Sequence, residues 1–303
     1  MTQVATEHQV GRRRTDLWGL MFQLALVFCL LACFAFLMVL VVDVFADGLP
    51  VFADRGVDFL TSDLSRNPEE TGVWQGIKGS LLLGIITFLV AIPLGVACAV
   101  YLEEYAPDNR FTRFIDLNIR NLAGVPSVVY GILGLIIFVQ WFEGFTGGRS
   151  VIAGGLTLSA LVLPMVVITS AEAIRAVPGS LREGGFGVGG TRWDVTRRLV
   201  LPDASPGILT GVILSLARAI GETAPLLLVG AIASNFFTTG SQSYWEQLQG
   251  TYTALPVIVN TWARQPQQEF RDLTSAAIIV LLVITLVANM AAILLRNRYQ
   301  RSR

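Results

Sequence analysis

Long apolar runs separated by shorter polar connections set the pattern of this chain. Crossing the ~30 Å hydrocarbon core of a bilayer takes roughly 20 helical residues. Six runs meet that length: Leu17 to Val42, Ile77 to Tyr101, Leu122 to Trp141, Val151 to Ser170, Ile208 to Ser234 and Thr274 to Leu295. The pattern predicts an all-α, polytopic membrane protein with six transmembrane helices. A further stretch, Leu255 to Trp262, is bracketed by Pro256 and Pro266 and is too short to cross. An interfacial or re-entrant element fits it better than a seventh helix.

Composition agrees with the pattern. The 303 residues are 53% hydrophobic and only 15% charged, with mean hydropathy +0.61, which excludes an ordinary soluble domain. Basic and acidic residues balance at 22 each, so net charge points to no nucleic-acid or acidic partner. Cys29, Cys33 and Cys98 all lie in apolar runs with no Cys-x-x-Cys spacing, and read as packing residues. The only histidine, His8, precedes the first run, which argues against a His-based catalytic or metal centre. No phosphate-binding Gly-x-x-x-x-Gly-Lys-[Ser/Thr] loop is present, so this chain is not expected to bind ATP.

Where the charges fall sets an orientation. With six spans, both termini share a side with the loops 103–121 and 171–206, and that side holds fifteen arginines. The opposite side holds five: Arg55, Arg66, Arg149, Arg264 and Arg271. Positive residues accumulate on the cytoplasmic side, so both termini are expected there, in a cytoplasmic membrane. The first run follows Arg12, Arg13 and Arg14 but, at 26 residues, exceeds a signal-peptide core and reads as a retained anchor. Residues 1–76 are thus an N-terminal tail, anchor helix and external loop, the acidic loop from Asp43 to Gly76 resembling a lid. Residues 77–295 form the transmembrane domain, and 296–303 a cytoplasmic tail.

The cytoplasmic loop from 171 to 206 carries helix start and stop signals in series. Thr169 with Glu172, and Ser180 with Glu183, are spaced as capping boxes; Gly189 and Gly190 stop the second helix. Thr191 with Asp194 opens a third, which Pro202 is expected to close. Capping alone leaves a solvated positive loop and a force-transmitting element equally open.

The second anomaly is Arg218, about 15 Å along a helix from Ile208 and so near mid-bilayer on this reading. A lone arginine there costs at least ~2.5 kcal/mol. Glu222, four residues on, can pair with it. Either the pair pins helix packing, or it forms an anion site on a translocation path, with Thr223 adding a hydroxyl and Pro225 a weak point in the helix. Three minor readings complete the set. Glu103 and Glu104 read as interfacial, with contact to an arginine such as Arg110. Asn289 reads as an interhelical hydrogen-bonder, and Gly131, Gly134, Gly154 and Gly155 as close-packing positions.

The spacing Glu183-Gly184-Gly185, three residues, Gly189, nine residues, Leu199-Val200-Leu201-Pro202 resembles the signature loop of ABC-importer permeases. That family has two alanines where this chain has Gly184 and Gly185, each glycine costing about 1 kcal/mol of helix propensity. The resemblance implies a type I ABC importer permease fold. It also implies a coupling helix that docks on an ATPase subunit through Glu183, Gly184, Gly185, Phe186, Gly189, Leu201 and Pro202. Residues 216–225, the stretches 101–107 and 121–131, and Ala254 to Phe270 resemble phosphate permeases of the PstA type. This implies a non-catalytic subunit of an inorganic-phosphate importer, with Arg218, Glu222 and Thr223 on the substrate path. Its implied partners are a second permease subunit in a heterodimer, two ATP-binding subunits holding ATP and Mg, an extracytoplasmic phosphate-binding protein and membrane lipid, with no nucleic acid. Another oxyanion, such as molybdate or sulfate, and a non-pumping anion channel stay open as alternatives.

Overall fold

The computed structural model describes residues 17–234 and 244–301; His8, the three N-terminal tail arginines and Arg303 lie outside the described residues. Helices account for every regular element among the described residues. Five are long and apolar enough to cross a membrane, and six spans result if one bent pair counts as a span.

The chain divides into two units, residues 1–46 and 47–303. The first holds most of α1 (Leu17–Arg55), whose side chains, among them Trp18, Phe28 and Phe36, are exposed along the apolar run, as suits a helix solvated by lipid. The helix runs 13 residues beyond the predicted end at Val42.

In the second unit, α3 (Trp74–Val100) and α7 (Val151–Arg175) form the central pair. Small residues allow it: a Cβ on Gly95 would stand 2.6 Å from Val166, and one on Gly155 2.5 Å from Ile86. Such backbone approach is how helices pack without a hydrophobic drive between them. Gly131, Gly134 and Gly154 also sit against Leu228, Thr157 and Tyr252, so all four glycines are close-packing positions.

Two predicted spans are not straight. The run Leu122 to Trp141 divides into the ends of α4 (Arg110–Ala123) and all of α5 (Ser127–Gly134), which continues in π-helical geometry from Leu135 to Trp141. The two segments meet at 103°. Gly124-Val125-Pro126 is the cause: proline cannot continue the helix and pushes the residue before it out of the α region. The run Ile208 to Ser234 also breaks. There α10 (Leu201–Gly221) ends, Glu222 is extended (φ −77°, ψ 126°), and α11 (Ala224–Val229) begins with Pro225 in its first turn.

The segment around α2, expected as an external loop, is packed into a core. Phe59 of α2 (Asp58–Thr61) and Val73 are fully buried with Leu255, Ile258 and Trp262 of α13 (Leu255–Trp262) and with Phe270 and Leu273 of α14 (Gln268–Arg301). Trp262 touches both Phe59 and Phe270, the ring centroids 6.5 Å and 6.0 Å apart. The acidic residues Asp54, Asp58, Asp63, Glu69 and Glu70 are thus the exposed side of a packed segment. As expected, α13 is a short buried element and not a further span. Among the described residues Asn289 makes no side-chain hydrogen bond, whereas Arg296 of α14 donates to Thr210 of α10 at 2.9 Å.

Candidate functional site

Arg218 lies in the last turn of α10, where a cation is favoured by the helix dipole. Its Nε stands 3.2 Å from Oε1 of Glu222, which is already outside the helix. Pairing across four residues is as expected, but the helical geometry assumed for it is not: the turn at Glu222 brings the carboxylate back. Glu222 is 19% exposed and Arg218 44%. Only Nε is engaged, so among the described residues both terminal nitrogens of the guanidinium remain without a partner. Thr223 caps α11 with its backbone and makes no side-chain cap. Behind the pair, Ala219 is buried against Tyr130, whose hydroxyl donates to Leu122 O at 2.9 Å and so ties α5 to the end of α4. The arrangement leaves a guanidinium fork half-open beside a carboxylate that partly neutralises it.

The loop 171–206 differs from its predicted outline in three places. Thr169 caps nothing, because α7 runs through it to Arg175 and its hydroxyl bonds back to Met165 O at 2.9 Å. Ser180 caps nothing either: α8 (Gly179–Gly187) starts one residue earlier, after Pro178. Pro202 does not end the third helix. The α9 turn (Arg192–Val195), capped by Thr191 as expected, passes through a π-helical segment, Thr196–Val200, into α10, with Pro202 in that helix's first turn. Proline is accommodated there by the wider π-helical segment directly before it, which makes room for the ring at the preceding turn. One 30-residue helix therefore runs from Arg192 to Gly221 and carries Arg218 near its far end.

The loop has an inner and an outer side. Val177, Val195 and Val200 are buried in one apolar cluster with Ala171, Ile174 and Ile208, and Leu181, Leu199 and Leu201 pack against it. Gly185 belongs to this side: a Cβ there would stand 2.7 Å from Leu199 Cδ1 and 2.8 Å from Val195 Cγ2. Gly184 faces open space, and Glu183 is exposed. Gly189 has φ +83°, a left-handed conformation that ends α8 and that side chains rarely adopt. The outer side presents Phe186, Val188 and Trp193, with Val188 88% exposed. The sequence reading names Phe186 here but not Val188 or Trp193, although apolar residues in an otherwise polar loop are the available signal.

Glu103 and Glu104 find different partners from the one expected. Neither meets Arg110: Glu103 pairs with Arg175 and Glu104 with Arg182.

A model of the family described as "Binding-protein-dependent transport system inner membrane component" matches residues 91–301. The chain is 40% identical over 192 residues to the probable ABC transporter permease protein YqgH of Bacillus subtilis, covering 60% of this chain and 62% of that protein. It is 37% identical over 221 residues to the phosphate transport system permease protein PstA of Mycobacterium leprae, covering 72% of this chain and 69% of that one. Among solved structures, a bacterial ABC transporter involved in the import of the acidic polysaccharide alginate has a chain of the same fold, with TM-score 0.64, 16% identity and coverage of 93% and 98%. With a broken-helix site, a helical loop continuous with it, and a family match over most of its length, the chain belongs to the inner-membrane components of binding-protein-dependent transport systems and has the fold of an ABC importer permease.

Proposed function

We propose that this chain is one of two permease subunits of an ATP-driven importer of inorganic phosphate. The observation that carries the reading is the single 30-residue helix joining the cytoplasmic loop to the Arg218–Glu222 pair. The exposed apolar tip, Phe186, Val188 and Trp193, suits docking in a groove of an ATP-binding subunit, which hydrolyses the ATP. Closure of two such subunits would move the tip, and the helix would deliver that movement to the arginine as a rigid-body tilt. Arg218 would then present its free nitrogens to a phosphate oxyanion in a cavity shared with the second permease. Glu222 keeps the guanidinium in place and weakens its hold on the anion, so that phosphate can leave. Similarity to phosphate permeases favours phosphate over molybdate or sulfate. On this reading both termini and the loop 171–206 are cytoplasmic, residues 77–295 form the transmembrane domain, and phosphate arrives from an extracytoplasmic binding protein.

Radiolabelled phosphate uptake into vesicles containing this chain and its co-purifying subunits, with and without ATP, tests the proposal. ATP-dependent uptake that excess sulfate and molybdate leave intact is expected. Equal competition by either anion overturns phosphate selectivity, and uptake independent of ATP favours a channel. Gly189→Glu is expected to abolish both ATP-dependent uptake and retention of the ATP-binding subunit. Wild-type behaviour of that variant refutes docking at the loop.

A further inference from the structure

The loop is fastened to the membrane helices at a second place besides α10. Beyond Val100, α3 continues as a wider π-helical segment, Tyr101–Tyr105, which carries Glu103 and Glu104 toward the loop. Arg182, in the middle of α8, donates to Glu104 Oε1 from Nε at 3.1 Å and from Nη2 at 2.8 Å. The same guanidinium donates to Val177 O at 2.7 Å and to Ile174 O at 2.9 Å, satisfying carbonyls at the end of α7. One side chain thus joins three elements: the coupling helix, the end of α7 and the end of α3. The pair is well shielded, Glu104 being 8% and Arg182 24% exposed, whereas the neighbouring Glu103–Arg175 pair leaves its arginine 56% exposed. A shielded, multiply bonded arginine holds geometry better than a surface pair, because little solvent competes for its donors.

We infer that Arg182 and Glu104 are positioning residues that couple movement of α8 to the α3–α7 pair, so that the ATPase drives two helical paths and not α10 alone. The inference rests on the reading of α8 as the coupling helix. Without the joint, α8 would still present its apolar tip to the ATP-binding subunit, but its movement would be lost in rotation about the Pro178 and Gly189 turns that flank it. The central pair packs through Gly95 and Gly155 along its length, so displacement at Glu104 would pass up α3 without loss.

The test is the ratio of phosphate taken up to ATP hydrolysed by the complete transporter in vesicles, measured for Glu104→Ala, Glu104→Gln and Glu104→Asp. Glu104→Ala is expected to keep the ATP-binding subunit bound and hydrolysing while the ratio falls about tenfold, the size of a typical coupling between sites. Glu104→Asp, which keeps the charge, should stay within about threefold of the wild type on the same scale. Glu104→Gln preserves shape without charge and carries the test if the alanine variant is depleted from the membrane. A wild-type ratio in the Ala and Gln variants overturns the joint and leaves docking at α8 standing. Equal loss in the Ala and Asp variants also overturns it, since the charge pair is then not the operative contact. Failure of the wild-type chain to retain an ATP-binding subunit refutes docking itself, a result the ratio plays no part in.

Discussion

Arg218 and Glu222 are paired across a helix end: 3.2 Å separates Nε from Oε1, yet only the arginine is helical. A pair inside a continuous helix would be fixed by the i, i+4 geometry alone. Here the carboxylate sits on a two-residue break between α10 and α11, so its position depends on the angle between those helices. Any tilt of α10 relative to α11 changes how much of the guanidinium is free, which on the proposed function would join the movement of the helix to the strength of anion binding.

Arg218→Lys keeps the charge and loses the planar fork. If oxyanion recognition uses two parallel donors, phosphate uptake should fall by at least about tenfold at equal membrane abundance, corresponding to roughly 1.4 kcal/mol. Uptake at the wild-type rate would show that a point charge suffices.

Glu222→Gln removes the competing charge while keeping the side chain's shape. Steady-state uptake should show a lower KM for phosphate together with a lower maximal rate, because an unopposed guanidinium releases its anion slowly. A raised KM would assign Glu222 to direct anchoring of substrate instead.

The adjacent glycines of α8 should separate cleanly. Gly185→Val drives methyl groups into Val195 and Leu199, an overpacking that costs about 1–3 kcal/mol, and should weaken retention of the ATP-binding subunit in a pull-down. Gly184→Ala meets nothing within 4 Å and gains about 1 kcal/mol of helix propensity, so retention should match or exceed the wild type. Matching behaviour of the two variants would contradict the inner and outer sides assigned to the helix.

Phe59 tests the core around α13. Its side chain is fully buried, with ring centroids 5.6 Å from Phe52 and 6.5 Å from Trp262. Phe59→Ala should destabilise the protein by about 3–5 kcal/mol, read as a lower thermal unfolding midpoint in detergent. An unchanged midpoint is what a loose external loop would give.

The sequence by itself determined the class of fold and singled out Arg218, Glu222 and the polar loop as candidates, because membrane insertion is a composition rule. A run of about 20 apolar residues has to be helical to satisfy its backbone in hydrocarbon. Against that background, Arg218 with Glu222 and the polar loop are conspicuous wherever the chain takes them. Proline positions were harder to weigh. Pro126 and Pro202 are the same residue type in similar settings, yet one marks a 103° bend and the other lies inside a continuous 30-residue helix. The difference lies in what precedes each proline: a π-helical segment, Thr196–Val200, leads into Pro202 and makes room for its ring, whereas Gly124-Val125 before Pro126 leaves the helix. Partner choice among charges was not legible at all. Arg110, Arg175 and Arg182 were all near enough in sequence or topology to meet the glutamates at 103 and 104. Only the packing of α3 against α7, set by the close approach at Gly95 and Gly155, decides that Arg175 and Arg182 do so. Contacts that span 72 and 78 residues belong to the tertiary structure, because they depend on where two helix ends finish after their whole lengths have packed.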